Sequence, residues 1–171
     1  IAIWGEADCS IANSIFFGNN PDEIYLPTDE PADSITITYS NIQESWEGEG
    51  NIDVDPMFVD TANGNYNLLA TSHLINAGHP DSTDSDGTVA DMGAYPYLNS
   101  YSGPTWYITE SGNDTTATGD SDDPFRSIQA GINFSSDADS VTVAAGTYVE
   151  NINFRGRNIK VVGEDKETTV L

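Results

Sequence analysis

Basic residues are nearly missing from this chain: 5 Lys and Arg stand against 28 Asp and Glu, for a formal net charge of −23. A surface of that sign repels phosphate backbones and anionic headgroups, which excludes nucleic acid as a partner and favours cations. No apolar run reaches the roughly 18 residues of a membrane-spanning helix, so membrane insertion is not expected. The one cysteine, Cys9, has no partner for an internal disulfide and is expected as a small buried hydrophobe rather than a nucleophile. The chain opens on "IAIWGEAD", without a Met, a basic segment or an apolar leader, which points to a piece of a longer or processed precursor.

What is present suits a β-rich fold. Over 171 residues, 37% hydrophobic content with 10% aromatics is enough to build a core. Short runs recur between turn-forming residues: "SIANSIFFG", "SITITYSNIQ", "NIDVDPMFVD", "DSVTVAAGTYVENINF" and "RNIKVVG". Alternation in "ITITY" and "VTV" has the period of two that half-buried strands require. The runs are regularly spaced, with 22 residues from Ile15 to Ile37, 20 from Ile37 to Met57 and 18 from Val143 to Val161. A period near 20 with strands in each unit predicts a solenoid, whose coils bury their faces against neighbouring coils. Asn-Ile recurs at Asn41, Asn51, Asn151 and Asn158. Asn tolerates left-handed backbone and can bond to the same side chain one coil away, so it suits repeated corners.

One segment breaks the strand pattern. "DDPFRSIQAGINFSSDAD" spaces Phe125, Ile128, Ile132 and Phe134 at three to four residues, with Asp123 placed as N-cap and Pro124 at the first helical position. This predicts a short amphipathic helix covering the end of a solenoid. The acidic run "GDSDDP", with Asp120, Asp122 and Asp123, then reads as negative charge placed at that helix's N-terminus.

These phrases carry a resemblance. "GNDTTATGDSDDPFRSIQAGI" and "DSVTVAAGTYVENINFRGRNIKVVGEDKETTVL" resemble the N-terminal opening of right-handed parallel β-helix proteins of the pectate-lyase-like superfamily. "NIDVDPMFVDTANGNYNLLATSHLINAG" and "DSDGTVADMGAYPY" resemble the terminal coils and closing tail of secreted bacterial β-helix proteins, in which an acidic residue often stands at the position of Asn76. The resemblance implies an all-β fold, a right-handed parallel β-helix with one short capping α-helix, and an extracellular or cell-surface location. It places terminal coils and a closing tail in residues 1–98, a linker in 99–104 ("NSYSGP"), and a cap with first coils in 105–171. The two segments would then be a slice across two tandem β-helices, one permuted solenoid in which the last coils stack on the coil at Ile11, or units that stack between chains. Open coil ends present unpaired backbone, so Leu171 and Ile1 are expected to meet something in cis or in trans.

Three stretches offer chemistry. In "DSTDSDGTVADMG", Asp84, Asp86 and Asp91 could present hard oxygen ligands around Gly87 to a calcium ion, although the spacing is not that of an EF-hand. In "ESWEGEG", Trp46 offers a flat apolar platform for a sugar between Glu44 and Glu47, and two carboxylates held about 5–10 Å apart could act as acid and base in glycoside hydrolysis. In "TSHLINAGHP", His73 and His79 lack a metal-binding spacing, and His73 reads as a packed surface histidine. The resulting expectation is a structural, adhesive or carbohydrate-binding module whose partner is a polysaccharide or another copy of itself. The alternative is a carbohydrate-active enzyme of the pectin methylesterase, polysaccharide lyase or glycoside hydrolase kind, since "VTVAAGTYVENINF" is also similar to the opening of pectin methylesterases.

Overall fold

Alternating sequence becomes alternating burial wherever the strands form. A computed structural model describes residues 8–25 and 35–171. Strands β1 (Cys9–Ala12) and β2 (Ile15–Phe16) are followed by β3 (Ile35–Thr38) and β4 (Asn41–Ile42). In β3, Ile35 and Ile37 are buried while Thr36 is exposed. β1 pairs in parallel with β3, and β2 with β4; Ile52 continues the second ladder through a parallel bridge to Asn41. A hairpin follows, made of β5 (Phe58–Asp60), a single 3-10 turn (Thr61–Asn63) and β6 (Asn65–Leu68). It pairs antiparallel, as does the isolated bridge between Thr83 and Val89.

The second half begins with β7 (Thr105–Ile108) and continues through α1 (Ile128–Phe134), β8 (Ser140–Val143), β9 (Gly146–Thr147), β10 (Lys160–Gly163) and β11 (Thr169–Val170). Three strands form a parallel sheet in the order β10-β8-β7, and β9 pairs in parallel with β11. Among the described residues the fold is therefore mostly strand with one short helix, in small sheets of two or three strands.

The register departs from an even period. Ile11 stands opposite Ile37 and Ile15 opposite Asn41, whereas Val141 stands opposite Val161 and Trp106 opposite Val141. The strands hold their pairing while the connections between them vary in length, as surface connections can at little entropic cost.

The asparagine corners also work differently from expectation. Asn41 does not bond to another asparagine: its amide donates to the Val54 carbonyl and its Oδ1 accepts the Val54 N–H, both at 3.0 Å. Asn51 accepts from the Ser40 N–H at 3.1 Å and donates to the Ile37 carbonyl at 2.8 Å. Each side chain replaces a missing strand, offering donor and acceptor together. The left-handed backbone falls instead on Asn13 and Tyr39, with φ of 52° and 47°.

The helix is real but starts later than the sequence suggests. Asp123 is not its N-cap, because Phe125 is held extended: its N–H donates to the Tyr107 carbonyl and its own carbonyl accepts from the Thr109 N–H, both at 3.0 Å. Ser127 takes the N-cap position, yet its hydroxyl donates to Asp114 at 2.6 Å rather than capping. Glu150 does the capping from a distant loop, accepting the N–H groups of Ile128 and Gln129 at 2.9 and 3.0 Å. The "GDSDDP" carboxylates close their own turn, with Asp120 Oδ1 accepting the N–H groups of Asp122 and Asp123.

α1 docks on the end of the first half. Trp106, Phe125, Ile128, Ile132, Val141 and Val143 form one buried cluster, and Leu68, Leu74, Ile75 and Met92 another. Phe134 and Tyr97 pack against both. Fully buried Asn133 donates to the carbonyls of Ala70 and Ser72 at 2.9 and 2.8 Å, and Ala70 N–H donates to the Asp114 carbonyl at 2.7 Å. Arg155, with φ of 53°, reaches the Ile75 carbonyl at 2.7 Å. Residues 99–104 join this seam: Asn99 donates to the Thr118 carbonyl at 2.9 Å, and Tyr101 packs edge-on to Trp106. Among the described residues β10 pairs with β8 and β11 with β9, neither with β1. Leu171 is exposed, and Ile1 lies outside the described residues.

Candidate functional site

The three aspartates expected to hold calcium are drawn into one corner, where they bind backbone N–H groups. Asp84 Oδ2 accepts the Asp91 N–H at 2.9 Å. Asp86 accepts from Thr88 N–H at 3.1 Å and from Asn99 N–H at 2.8 Å, one on each oxygen. Asp91, only 4% exposed, accepts from Asn76 and Tyr97, both at 2.7 Å. Burial pushes the Asp91 carboxyl up to about 6, against the lowering effect of its two N–H bonds. Burial also raises Asp84, whereas the bonds to Asp86 outweigh burial and lower it. Among the described residues no group of three His, Cys, Asp or Glu is arranged to hold a metal ion.

The "ESWEGEG" loop is placed by two left-handed residues, Glu44 and Ser45, with φ of 71° and 68°. Trp46 is half-buried and packs against Ile35, Ile37 and Ile42, so much of its surface serves the core. A hollow of about 150 Å³ brings Glu44 and Trp46 together with Asp22 and Glu23; Glu47 is exposed and does not line it. His73 is half-buried near Arg155, and burial, reinforced by that guanidinium, lowers its pKa. Cys9 is a free, half-buried thiol on β1.

A larger feature lies where the residues around β2, the β5-β6 hairpin and residues 93–95 meet. A hollow of about 570 Å³ is bordered by Phe17, Asn19, Phe58, Tyr66 and Tyr95, and one of about 370 Å³ by Val59, Asn65, Asn67, Tyr95 and Thr116. The first lies within the size range of ligand pockets, and the second near its lower end. Phe17, Tyr66 and Tyr95 are 40%, 50% and 56% exposed, so their rings face solvent rather than the core. Tyr66 is steadied by an edge-on contact with Phe58, ring centres 5.4 Å apart. The hairpin that carries them is closed by Asp60, which accepts the Asn63 N–H, and by left-handed Gly64 with φ of 76°.

This groove went unnoticed in the sequence, where "GNYNLL" and "GAYPYL" read as strand and tail. The signal was there in the alternation of Asn65, Tyr66 and Asn67, which puts a large aromatic at an exposed strand position. A family model described as a protein of unknown function (DUF1565) matches residues 110–155, a stretch that runs from the turn after β7 through α1, β8 and β9. No curated protein and no solved structure shows a significant match.

Proposed function

We propose that this chain is an extracellular module of the right-handed parallel β-helix kind that binds polysaccharide without cleaving it. The parallel ladders β1-β3, β2-β4 and β10-β8-β7, with α1 packed over β7 and β8, support the solenoid reading. The division into 1–98 and 105–171 around 99–104 is kept, the two parts meeting through α1.

The observation that carries the function is the pair of hollows flanked by Phe17, Tyr66 and Tyr95. Exposed rings give sugar faces an apolar platform, and the amides beside them meet hydroxyls. No carboxylate lines either hollow among the described residues, which favours binding over hydrolysis, since hydrolysis needs a carboxylate pair. Affinity electrophoresis of the chain through gels containing different polysaccharides tests the reading. Retardation by at least one glycan that Tyr66→Ala abolishes supports it, and free migration through all of them sinks it.

The enzyme alternative has Glu44 and Trp46 in one small hollow as its support. It predicts release of new reducing or unsaturated ends from polysaccharide, lost in Glu44→Gln. Calcium at Asp84, Asp86 and Asp91 is not needed by the binding reading, because each of those carboxylates already accepts at least one backbone N–H. A thermal midpoint that rises with calcium over chelator in the native chain, and not in Asp84→Asn, would establish the ion. Self-association is supported by the one-sided pairing of β10 and the exposure of Val162 and Val170. Light scattering over a wide concentration range decides it.

A further inference from the structure

We propose that the groove takes a neutral, linear oligosaccharide that passes over the Tyr95 ring, and that it rejects uronate-bearing or sulfated chains; this rests on the carbohydrate-binding reading above. The chain carries 28 acids, yet among the described residues no charged side chain lines either hollow. The five basic residues, Arg126, Arg155, Arg157, Lys160 and Lys166, all fall outside both. An anionic glycan would find no cation there to pair with, while the −23 field opposes its approach. A neutral glycan meets neither obstacle.

One hairpin borders both hollows: Phe58 and Tyr66 line the larger, and Val59, Asn65, Asn67 and Leu68 line the smaller. Tyr95 borders both, which lets a chain seated in one extend past that ring into the other. Among the described residues the Tyr66 and Tyr95 hydroxyls have no hydrogen-bond partner, and both rings are at least half exposed. In the smaller hollow Asn65 Oδ1 accepts the Asn67 amide at 2.7 Å and the Asn67 N–H at 3.1 Å. That arrangement fixes the two side chains and leaves the Asn65 amide hydrogens and Asn67 Oδ1 for sugar hydroxyls.

Titration calorimetry of the whole chain against cellohexaose, xylohexaose, mannohexaose and hexagalacturonate, with the matching trisaccharides, tests this. The expected result is binding of at least one neutral hexasaccharide, with hexagalacturonate and the matching trisaccharide each weaker by about tenfold or more. Tyr95→Ala should weaken that binding about tenfold, and Tyr95→Phe should keep it within about threefold, because the ring is the platform. Thermal midpoints of both variants should match the native chain, since Tyr95 is exposed. Hexagalacturonate binding as tightly as the best neutral sugar would overturn the neutrality while leaving the carbohydrate reading in place. Undiminished affinity in Tyr95→Ala, or equal affinity for the trisaccharide, would overturn the path across the ring. Silence with every sugar would bring down the carbohydrate reading itself.

Discussion

The Ile128 N–H donates to Glu150 Oε1 at 2.9 Å, so the first turn of the helix is capped by a carboxylate from a loop 22 residues further on. A cap of this kind ties formation of α1 to placement of the loop after β9. Glu150→Ala should cost about 1–2 kcal/mol, and Glu150→Gln less, because one acceptor remains for two donors. Urea unfolding of the two variants beside the native chain measures both. A loss as large in Glu150→Gln as in Glu150→Ala would show that charge matters more than the hydrogen bond.

Asp91 makes stability depend on acidity in a direction opposite to that of most carboxylates. Its folded pKa, about 6, lies above the ordinary 3.8, so between those values the folded chain holds a proton that the unfolded chain has released. Stability therefore rises as pH falls through that window and is lost as pH climbs past it, by on the order of 2–3 kcal/mol. His73, lowered by burial, pulls the other way as pH falls through its ordinary 6.5, and Asp86 and Asp120 do so only below the ordinary carboxylate range. The change in thermal midpoint from pH 7.5 to pH 5 should thus be more favourable in the native chain than in Asp91→Asn, which leaves His73 in place.

Asn133 sits at the seam with its amide on the carbonyls of Ala70 and Ser72 and its Oδ1 accepting from Gln129 at 3.0 Å. Removing it leaves the buried Ala70 carbonyl without a partner and takes one bond each from the Ser72 carbonyl and the Gln129 amide, which keep Ile75 N–H and the Asn153 carbonyl, a loss of about 1–3 kcal/mol. Asn133→Asp should cost at least as much, because a carboxylate facing two carbonyls cannot donate. Hydrogen exchange would locate the damage: amides of Ala70 and of α1 should lose protection together.

Gly131 sets two effects against each other. Glycine within a helix costs about 1 kcal/mol relative to alanine, so Gly131→Ala would be expected to stabilise. A Cβ there, however, would stand 2.8 Å from Val141 Cγ1 and 3.0 Å from Ile108 Cδ1, both on fully buried side chains. Overpacking of a tight core costs about 1–3 kcal/mol, so the substitution should destabilise on balance. A raised midpoint would mean that α1 can slide off β7 and β8.

The strands were legible because burial on one face writes itself into alternation, as in Ile35 and Ile37 or Val141 and Val143. The helix was legible in its apolar spacing but not in its start. Phe125 fits a helical pattern by position, and only its backbone bonds to Tyr107 and Thr109, from another part of the chain, reveal it as extended. The acidic turn was visible as a cluster, whereas its use depended on which N–H groups Asn76, Asp91, Tyr97 and Asn99 would leave unmet. The groove was the least legible, since Phe17, Tyr66 and Tyr95 come from three separate segments and none belongs to a recognisable motif.

The bonding of the acids to backbone N–H groups changes the meaning of the composition. Asp84, Asp86, Asp91, Asp114, Asp120 and Glu150 are placed where bare N–H groups need an acceptor, while Asn41, Asn51 and Asn133 stand where a carbonyl must be met as well. At these positions carboxylate and amide are divided by the polarity of the backbone they close off, while Asn13 and Asn153 each accept a bare N–H as the acids do. Part of the chain's acidity is internal joinery, so a homologous chain with far less negative charge could keep this fold only by finding other acceptors for the same turns.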